Sequence, residues 1–352
     1  MSAAKRQSGS FVILAVLITF AVGCNAILGI KDHQLSPDGG GGAGTAGTAG
    51  ATGTGGAAGT AGSSLCVDGA VNDAEQMDAA AEMACGFPMP NPAGTGLPNP
   101  ASYRMNTVDG SVTDLVTGLT WEGKSRFTVY MYGEARTPCD EKSGGGWRLP
   151  TRVELASLVD FTIAKPGPTI NAIFASDPIW ASATLPTDMR FWTSSHAACD
   201  ASVGWYVDFA NGSTHQENDA SVAYKVRCVT GTPTSCPTTR YQVNADGVLD
   251  GFTGLTWQKD VGPQQMWSAA RTYCPSGWRL PSVTEIQSIV LERNQNPSID
   301  TNVFAGTPSM GYFWTSSPAA GDPNSAWYLT FIHGHTNPQS VGTPYWVRCV
   351  TP

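Results

Sequence analysis

The sequence predicts an α+β fold, laid down as two tandem domains behind a disordered Gly/Ala/Thr tether. Three observations predict it. First, an ordered set of strings occurs twice: Thr117-Gly118-Leu119-Thr120-Trp121 returns as Thr253-Gly254-Leu255-Thr256-Trp257, and Phe191-Trp192-Thr193-Ser194-Ser195 as Phe313-Trp314-Thr315-Ser316-Ser317. Second, each copy alternates short Val-, Thr- and aromatic-rich runs with two helical segments, the pattern of small antiparallel sheets with helices. Third, residues 39–64 contain only Gly, Ala, Thr and Ser. No side chain there can offset the entropy of ordering the backbone.

The chain begins with a short positive region, Lys5 and Arg6, followed by the apolar run Phe11 to Ala21. That run is short for a membrane span and has the shape of a secretory signal. It ends in Ala21-Val22-Gly23-Cys24, which resembles the lipobox of bacterial lipoproteins. The resemblance implies a signal peptide over 1–23 and a lipidated Cys24; the alternative is an ordinary signal peptide. Several acyl chains would anchor the protein on a membrane without a span. Asn25, not Asp, follows the Cys, which by the same resemblance implies the outer membrane of a Gram-negative bacterium. Cleavage removes Lys5 and Arg6, so 20 basic residues become 18 against 28 acidic ones, and the net charge moves from -8 to -10. Such a balance excludes the basic footprint of a nucleic-acid binder.

From Gly41 to Gly62 every third residue is Gly. Strict Gly-X-Y is a collagen pattern, but no triplet contains Pro, so the region 24–64 reads as a flexible tether. Its span over 39–64 is roughly 25–30 Å. Residues 65–101 form a connector. Cys66 and Cys85 bracket a short helix that Asn72 or Asp73 can cap and Gly86 can end. Pro88, Pro90, Pro92, Pro98 and Pro100 then extend the chain.

Copy one covers 102–230 and copy two 236–352. Each opens with a hairpin ending in Leu-Thr-Trp. A first helix follows, over Val129 to Thr137 and over Gln265 to Tyr273. Next comes the string Gly-Trp-Arg-Leu-Pro, which contains Trp147-Arg148 and Trp278-Arg279. Thr151 with Glu154, and Ser282 with Glu285, have capping-box spacing, so this string starts a second helix. Strands follow at Phe191 to Ser194, Trp205 to Phe209 and Tyr224 to Val229, with partners in copy two.

The chain has nine Cys, eight of them beyond Cys24. An exported chain meets conditions in which disulfides persist. Each copy has one Cys near its first helix and one in its last strand, so the repeat pairs Cys139 with Cys228 and Cys274 with Cys349. Cys66–Cys85 and Cys199–Cys236 are the remaining candidate pairs.

Leu-Thr-Trp, Gly-Trp-Arg-Leu-Pro-Thr/Ser-x-x-Glu, Phe-Trp-Thr-Ser-Ser and the terminal Val-Arg-Cys-Val together resemble the Lcl C-terminal domain family, over about 102–230 and 240–352. That family is related to the C-type lectin-like fold. The resemblance implies two tandem C-type lectin-like domains, each with two helices plus short antiparallel strands. It also implies a secreted or surface binding domain, which in some members takes sulfated glycans.

The signatures of calcium-dependent sugar binding, Glu-Pro-Asn or Gln-Pro-Asp with Trp-Asn-Asp, are missing. No cofactor is expected; carbonyl and carboxylate oxygens elsewhere could hold a calcium ion, but no motif identifies them. The same superfold hosts formylglycine-generating enzymes, but the repeated Cys read as structural. Ser194-Ser195 and Ser316-Ser317 have no matched His to act as base. His333 and His335 are the one candidate metal pair, and copy one has Asn211-Gly212-Ser213 in their place. Arg148 and Arg279 are candidate ligand forks for sulfate or carboxylate. The competing reading pairs them internally, with Asp114 and Asp250 as partners. The repeated Trp121, Trp192 and Trp205 read as core, whereas the non-repeated Trp180 is a candidate ligand-stacking aromatic.

The expected function is non-enzymatic recognition of a glycan or protein at the cell surface. One alternative is a structural cell-envelope lipoprotein without a specific ligand; a formylglycine-generating-type enzyme is a second. The acidic balance disfavours polyanionic glycans.

Overall fold

The computed structural model describes residues 87–352 apart from 184, 185, 199, 219–221, 232–239 and 246. Cys24, Cys66, Cys85, Cys199 and Cys236 lie outside the described residues, as do the signal, the tether and the start of the connector.

Copy one opens with β1 (Tyr103–Met105), β2 (Val112–Asp114) and β3 (Thr120–Trp121). A 3-10 turn at Tyr132–Glu134 and helix α1 (Thr137–Asp140) follow. Then come α2 (Arg152–Ala156) and α3 (Pro178–Ser182). Three strands, β4 (Arg190–Ala197), β5 (Asp200–Asp208) and β6 (Ser213–Asn218), precede the closing β7 (Val229–Thr230). Copy two repeats the order with β8 (Tyr241–Val243), β9 (Val248–Asp250), β10 (Thr256–Trp257), α4 (Trp267–Tyr273) and α5 (Val283–Gln287). It ends with β11 (Tyr312–Pro318), β12 (Ser325–Thr330), β13 (Thr336–Ser340) and β14 (Val350–Thr351).

Two sequence expectations need correction. The first helix of copy one is broken, whereas α4 in copy two runs unbroken. Copy one carries Gly133 and Pro138 where copy two has Ser268 and Tyr273. Gly weakens a helix interior and Pro has no N–H to donate, so the helix restarts with Pro in its first turn. The strand expected over Tyr224 to Val229 is also split. Lys225 exchanges backbone bonds with β4 (Lys225 N to Arg190 O, 3.0 Å; Trp192 N to Lys225 O, 2.9 Å), while Cys228 O accepts from Glu122 N at 2.9 Å. The segment thus crosses from one sheet to another.

Those sheets are a small one in each copy and a larger one that both share. In copy one the order is β1-β2-β3-β7, and in copy two β14-β10-β9-β8. Each small sheet therefore brings the start of a copy beside its end. Disulfides lock this closure: Cys139 to Cys228 with Cα atoms 5.4 Å apart, and Cys274 to Cys349 at 5.8 Å. The third sheet has the order β11-β12-β13-β6-β5-β4. Its seam is the pairing of Thr336 with Thr214, whose hydroxyls lie 3.0 Å apart and fully buried. These are matching residues of the two copies, so the copies meet by like edges and leave neither edge open.

Period-two alternation divides this sheet's faces. Phe191, Val207, Phe313 and Leu329 point to the side where α2 and α5 pack. Trp192, Tyr206 and Trp314 point to the other, beside the disulfides. One core cluster crosses the boundary between copies: Trp327 and Val283 of copy two pack with Phe161 and Leu155 of copy one. The end of the connector also bridges to copy two. Phe87 stacks on Phe252 with centroids 5.7 Å apart. Asn91, fully buried, donates to Glu285 Oε1 at 3.2 Å and accepts from Ser282 Oγ at 2.5 Å.

Candidate functional site

The doubled string supplies the candidate Arg forks, so their partners decide what they can do. Thr151 accepts from Glu154 N, and Glu154 Oε2 accepts from Thr151 N at 2.8 Å. Ser282 and Glu285 form the same box, with Glu285 Oε2 2.8 Å from Ser282 N. The capping Glu also takes the fork of the Arg six residues earlier. Arg148 meets both Glu154 oxygens at 2.7 and 2.6 Å, and Arg279 meets Glu285 at 2.7 and 2.6 Å. The internal partners are thus Glu154 and Glu285, not Asp114 and Asp250. A cap that reaches back over the helix start brings its carboxylate onto the string that precedes it. Asp114 instead accepts from Val116 N and Thr117 N in its own turn, and burial pushes its carboxyl above the usual range. Asp250 takes the fork of Arg240 at 2.9 and 3.0 Å.

The serine pairs are joined to the same helix starts. Ser194 N donates to Pro150 O at 2.7 Å, and Ser195 Oγ accepts from Arg152 N at 3.0 Å. In copy two Ser316 N bonds Pro281 O at 2.7 Å, and Ser317 Oγ accepts from Val283 N at 3.1 Å. These hydroxyls hold an orphan helix N–H to the sheet.

Trp180 is not a loop aromatic open to ligand. Asp177 caps α3 and Pro178 occupies its first turn, which folds the segment inward. Trp180 is buried, donates Nε1–H to Phe174 O at 2.8 Å and packs on Phe191 and Phe209. It helps to enclose Arg227, which sequence reasoning passed over. That guanidinium is fully buried, pairs with Asp177 at 2.9 Å and donates to Glu122 O at 2.6 Å. Its counterpart Arg348 is equally buried but meets only oxygen dipoles: Gln258 O at 2.7 Å, Lys259 O at 2.8 Å and Thr307 Oγ1 at 2.8 Å. Burial pulls Arg348 down to about 10. Both arginines sit in the repeated Val-Arg-Cys-Val string, which is their signal in the sequence.

His333 and His335 lie beside the seam. His335 is 5.5 Å from His333 and 5.1 Å from His215 between ring centroids, and it meets Trp205 in a T-shaped contact at 5.2 Å. Burial drives His335 down to about 3, with lesser contributions from His215, His333 and Arg152. Among the described residues no group of three or more His, Cys, Asp or Glu is placed to hold a metal ion.

Another feature had no sequence forecast. On the outer face of the shared sheet, Tyr312 and Tyr345 stack at 5.2 Å and 18°, and Tyr328 lies 5.6 Å and 5.1 Å from them. All three are half-buried. Asn337, directly across from Tyr328 on β13, hydrogen-bonds with Tyr328 and with His215 of copy one. Gln339 Nε2 reaches Tyr345 Oη at 3.4 Å.

Residues 110–230 and 246–351 match the family model described as the Lcl C-terminal domain. No curated protein matches the chain.

Proposed function

We propose, from the premise that this chain belongs to the Lcl C-terminal domain family, that it is a non-enzymatic recognition protein of the bacterial cell surface. Its two copies adopt the C-type lectin-like fold, and a lipid on Cys24 holds them at the outer membrane. One observation carries the reading. The repeated side chains that resemble catalytic or anion-binding groups are consumed internally, Arg148 and Arg279 by Glu154 and Glu285, Ser195 and Ser317 by helix N–H groups. An uncharged aromatic cluster stays within reach of solvent on the outer face. The disulfide from first helix to last strand in both copies supports the lectin-like assignment.

The test is a glycan and surface-protein array probed with the full chain, with and without calcium. Retention of at least one ligand class, unchanged by calcium removal, is expected. Binding to nothing on the array would leave a structural envelope protein. Turnover of a sulfatase-type peptide would replace recognition with catalysis. Mass spectrometry of the membrane fraction tests the anchor, and Cys24→Ala is expected to release the chain.

A further inference from the structure

The two copies differ where their sheets are most alike. In copy one Arg190 lies over Tyr206 at 5.1 Å and Tyr224 at 5.6 Å, bonds Tyr224 Oη at 3.1 Å, and pairs with Asp208 at 3.1 Å. Tyr206 and Tyr224 are buried. The matching residues of copy two are Tyr312, Tyr328, Tyr345 and, for Asp208, Thr330. An ion pair over two closed rings has become three phenols with no formal charge. Burial, with the neighbouring Tyr345 and Tyr312, raises the Tyr328 hydroxyl above its usual range, and the hydrogen bond from Asn337 works against it.

Copy one shows that the fold needs no such cluster at this position. In the Arg–Asp version Arg190 donates to Asp208 and to the Tyr224 hydroxyl, and both rings beneath it are buried. The Tyr version leaves rings half-buried, and the Tyr312 hydroxyl has no protein partner among the described residues. Flat rings flanked by Asn337 and Gln339 match one ligand chemistry well. A pyranose presents a face of C–H groups to an aromatic ring and a rim of hydroxyls to amides and phenols, which can both donate and accept. A charged sugar would find no counter-ion here, and the chain as a whole is acidic at -8.

Resting on the recognition reading above, we infer that Tyr312, Tyr328 and Tyr345, with Asn337 and Gln339, form a binding site for an uncharged saccharide. Copy one has no equivalent site. The chain therefore presents one saccharide platform, not two, and binds with a stoichiometry of one per chain.

The test is calorimetric titration of the full chain with cellohexaose, chitohexaose, maltohexaose and laminarihexaose, and with a heparin hexasaccharide as the anionic arm. At least one neutral hexasaccharide is expected to bind, and heparin is not. Tyr312→Arg with Thr330→Asp installs the copy-one arrangement and is expected to weaken binding at least about tenfold, a loss of about 1.4 kcal/mol. Tyr312→Phe keeps the stacking but removes the hydroxyl, so its affinity is expected to fall between those of wild type and Tyr312→Ala. Tyr312→Ala serves if the double variant does not fold. Binding that survives Tyr312→Arg/Thr330→Asp and Tyr312→Ala would overturn the site but leave recognition intact. Heparin binding alone would overturn the uncharged class. Retention of a protein on the array with no saccharide binding would overturn the inference alone, and silence in both assays would overturn the recognition reading with it.

Discussion

Glu154→Ala is expected to destabilise the protein by about 2–3 kcal/mol without altering ligand binding. Glu154 serves two roles at once. It closes the capping box on Thr151 N at 2.8 Å, and a lost cap costs about 1 kcal/mol. It also takes both nitrogens of Arg148, and a charge-assisted hydrogen bond contributes about 1.5–3 kcal/mol. The second figure must be discounted, because the Arg148 side chain is 36% exposed and can turn to water once its partner is gone. A domain pair of this size shifts its melting temperature by roughly 2–4 °C per kcal/mol, so a fall of about 4–12 °C is expected. Glu285→Ala should cost more, because Glu285 also accepts from Asn91 and helps to hold the connector. Calorimetry of both variants and wild type reads this directly. A Glu154→Ala protein melting with the wild type would refute the structural role of the doubled string. So would a loss of ligand with no loss of stability.

Three further outcomes follow from the buried groups. Thr307→Asp gives Arg348 the carboxylate that Asp177 gives Arg227, and should raise the urea midpoint by about 1–2 kcal/mol equivalent; a lower midpoint would show that the site has adapted to a neutral partner. His335 is depressed from 6.5 to about 3 by burial, so the unfolded chain binds its proton first. Its stabilising contribution is complete above pH 6.5 and is lost as pH falls toward 3; melting curves from pH 7 to 4 should drop less steeply for His335→Phe, and parallel curves would contradict this. Replacing Cys139 and Cys228 together by Ala should cost about 4–5 kcal/mol by the chain-entropy model for a separation of 89, measured by denaturant unfolding, and an unchanged midpoint would contradict it.

Local rules explain what the sequence disclosed. The capping boxes at Thr151 and Ser282 need only a hydroxyl and a Glu three residues on, and both boxes formed. The repeat placed matching Cys at matching ends, and both disulfides formed. Residues whose role depends on distant partners are not legible in the same way. Trp180 reads as a loop aromatic until Asp177-Pro178 is recognised as a cap and first turn. Arg148 reads as a partner of Asp114 until the cap is seen to fold Glu154 back onto it. The seam at Thr214 and Thr336 left no trace, because Thr carries no pattern that marks a paired edge. The tyrosine cluster draws on β11, β12 and the approach to β14. Aligning the copies reveals one clue, Tyr312 in place of Arg190, but only the sheet register shows that its neighbours are also rings.

The most direct measurement is an NMR spectrum of the full chain with labelled tyrosine rings, recorded with and without the neutral hexasaccharide that binds. The expected result is a set of shifts confined to Tyr312, Tyr328 and Tyr345, with Tyr206 and Tyr224 of copy one unmoved. Shifts spread equally over both copies, or absent from all three rings at saturating saccharide, would contradict the assignment of recognition to this face.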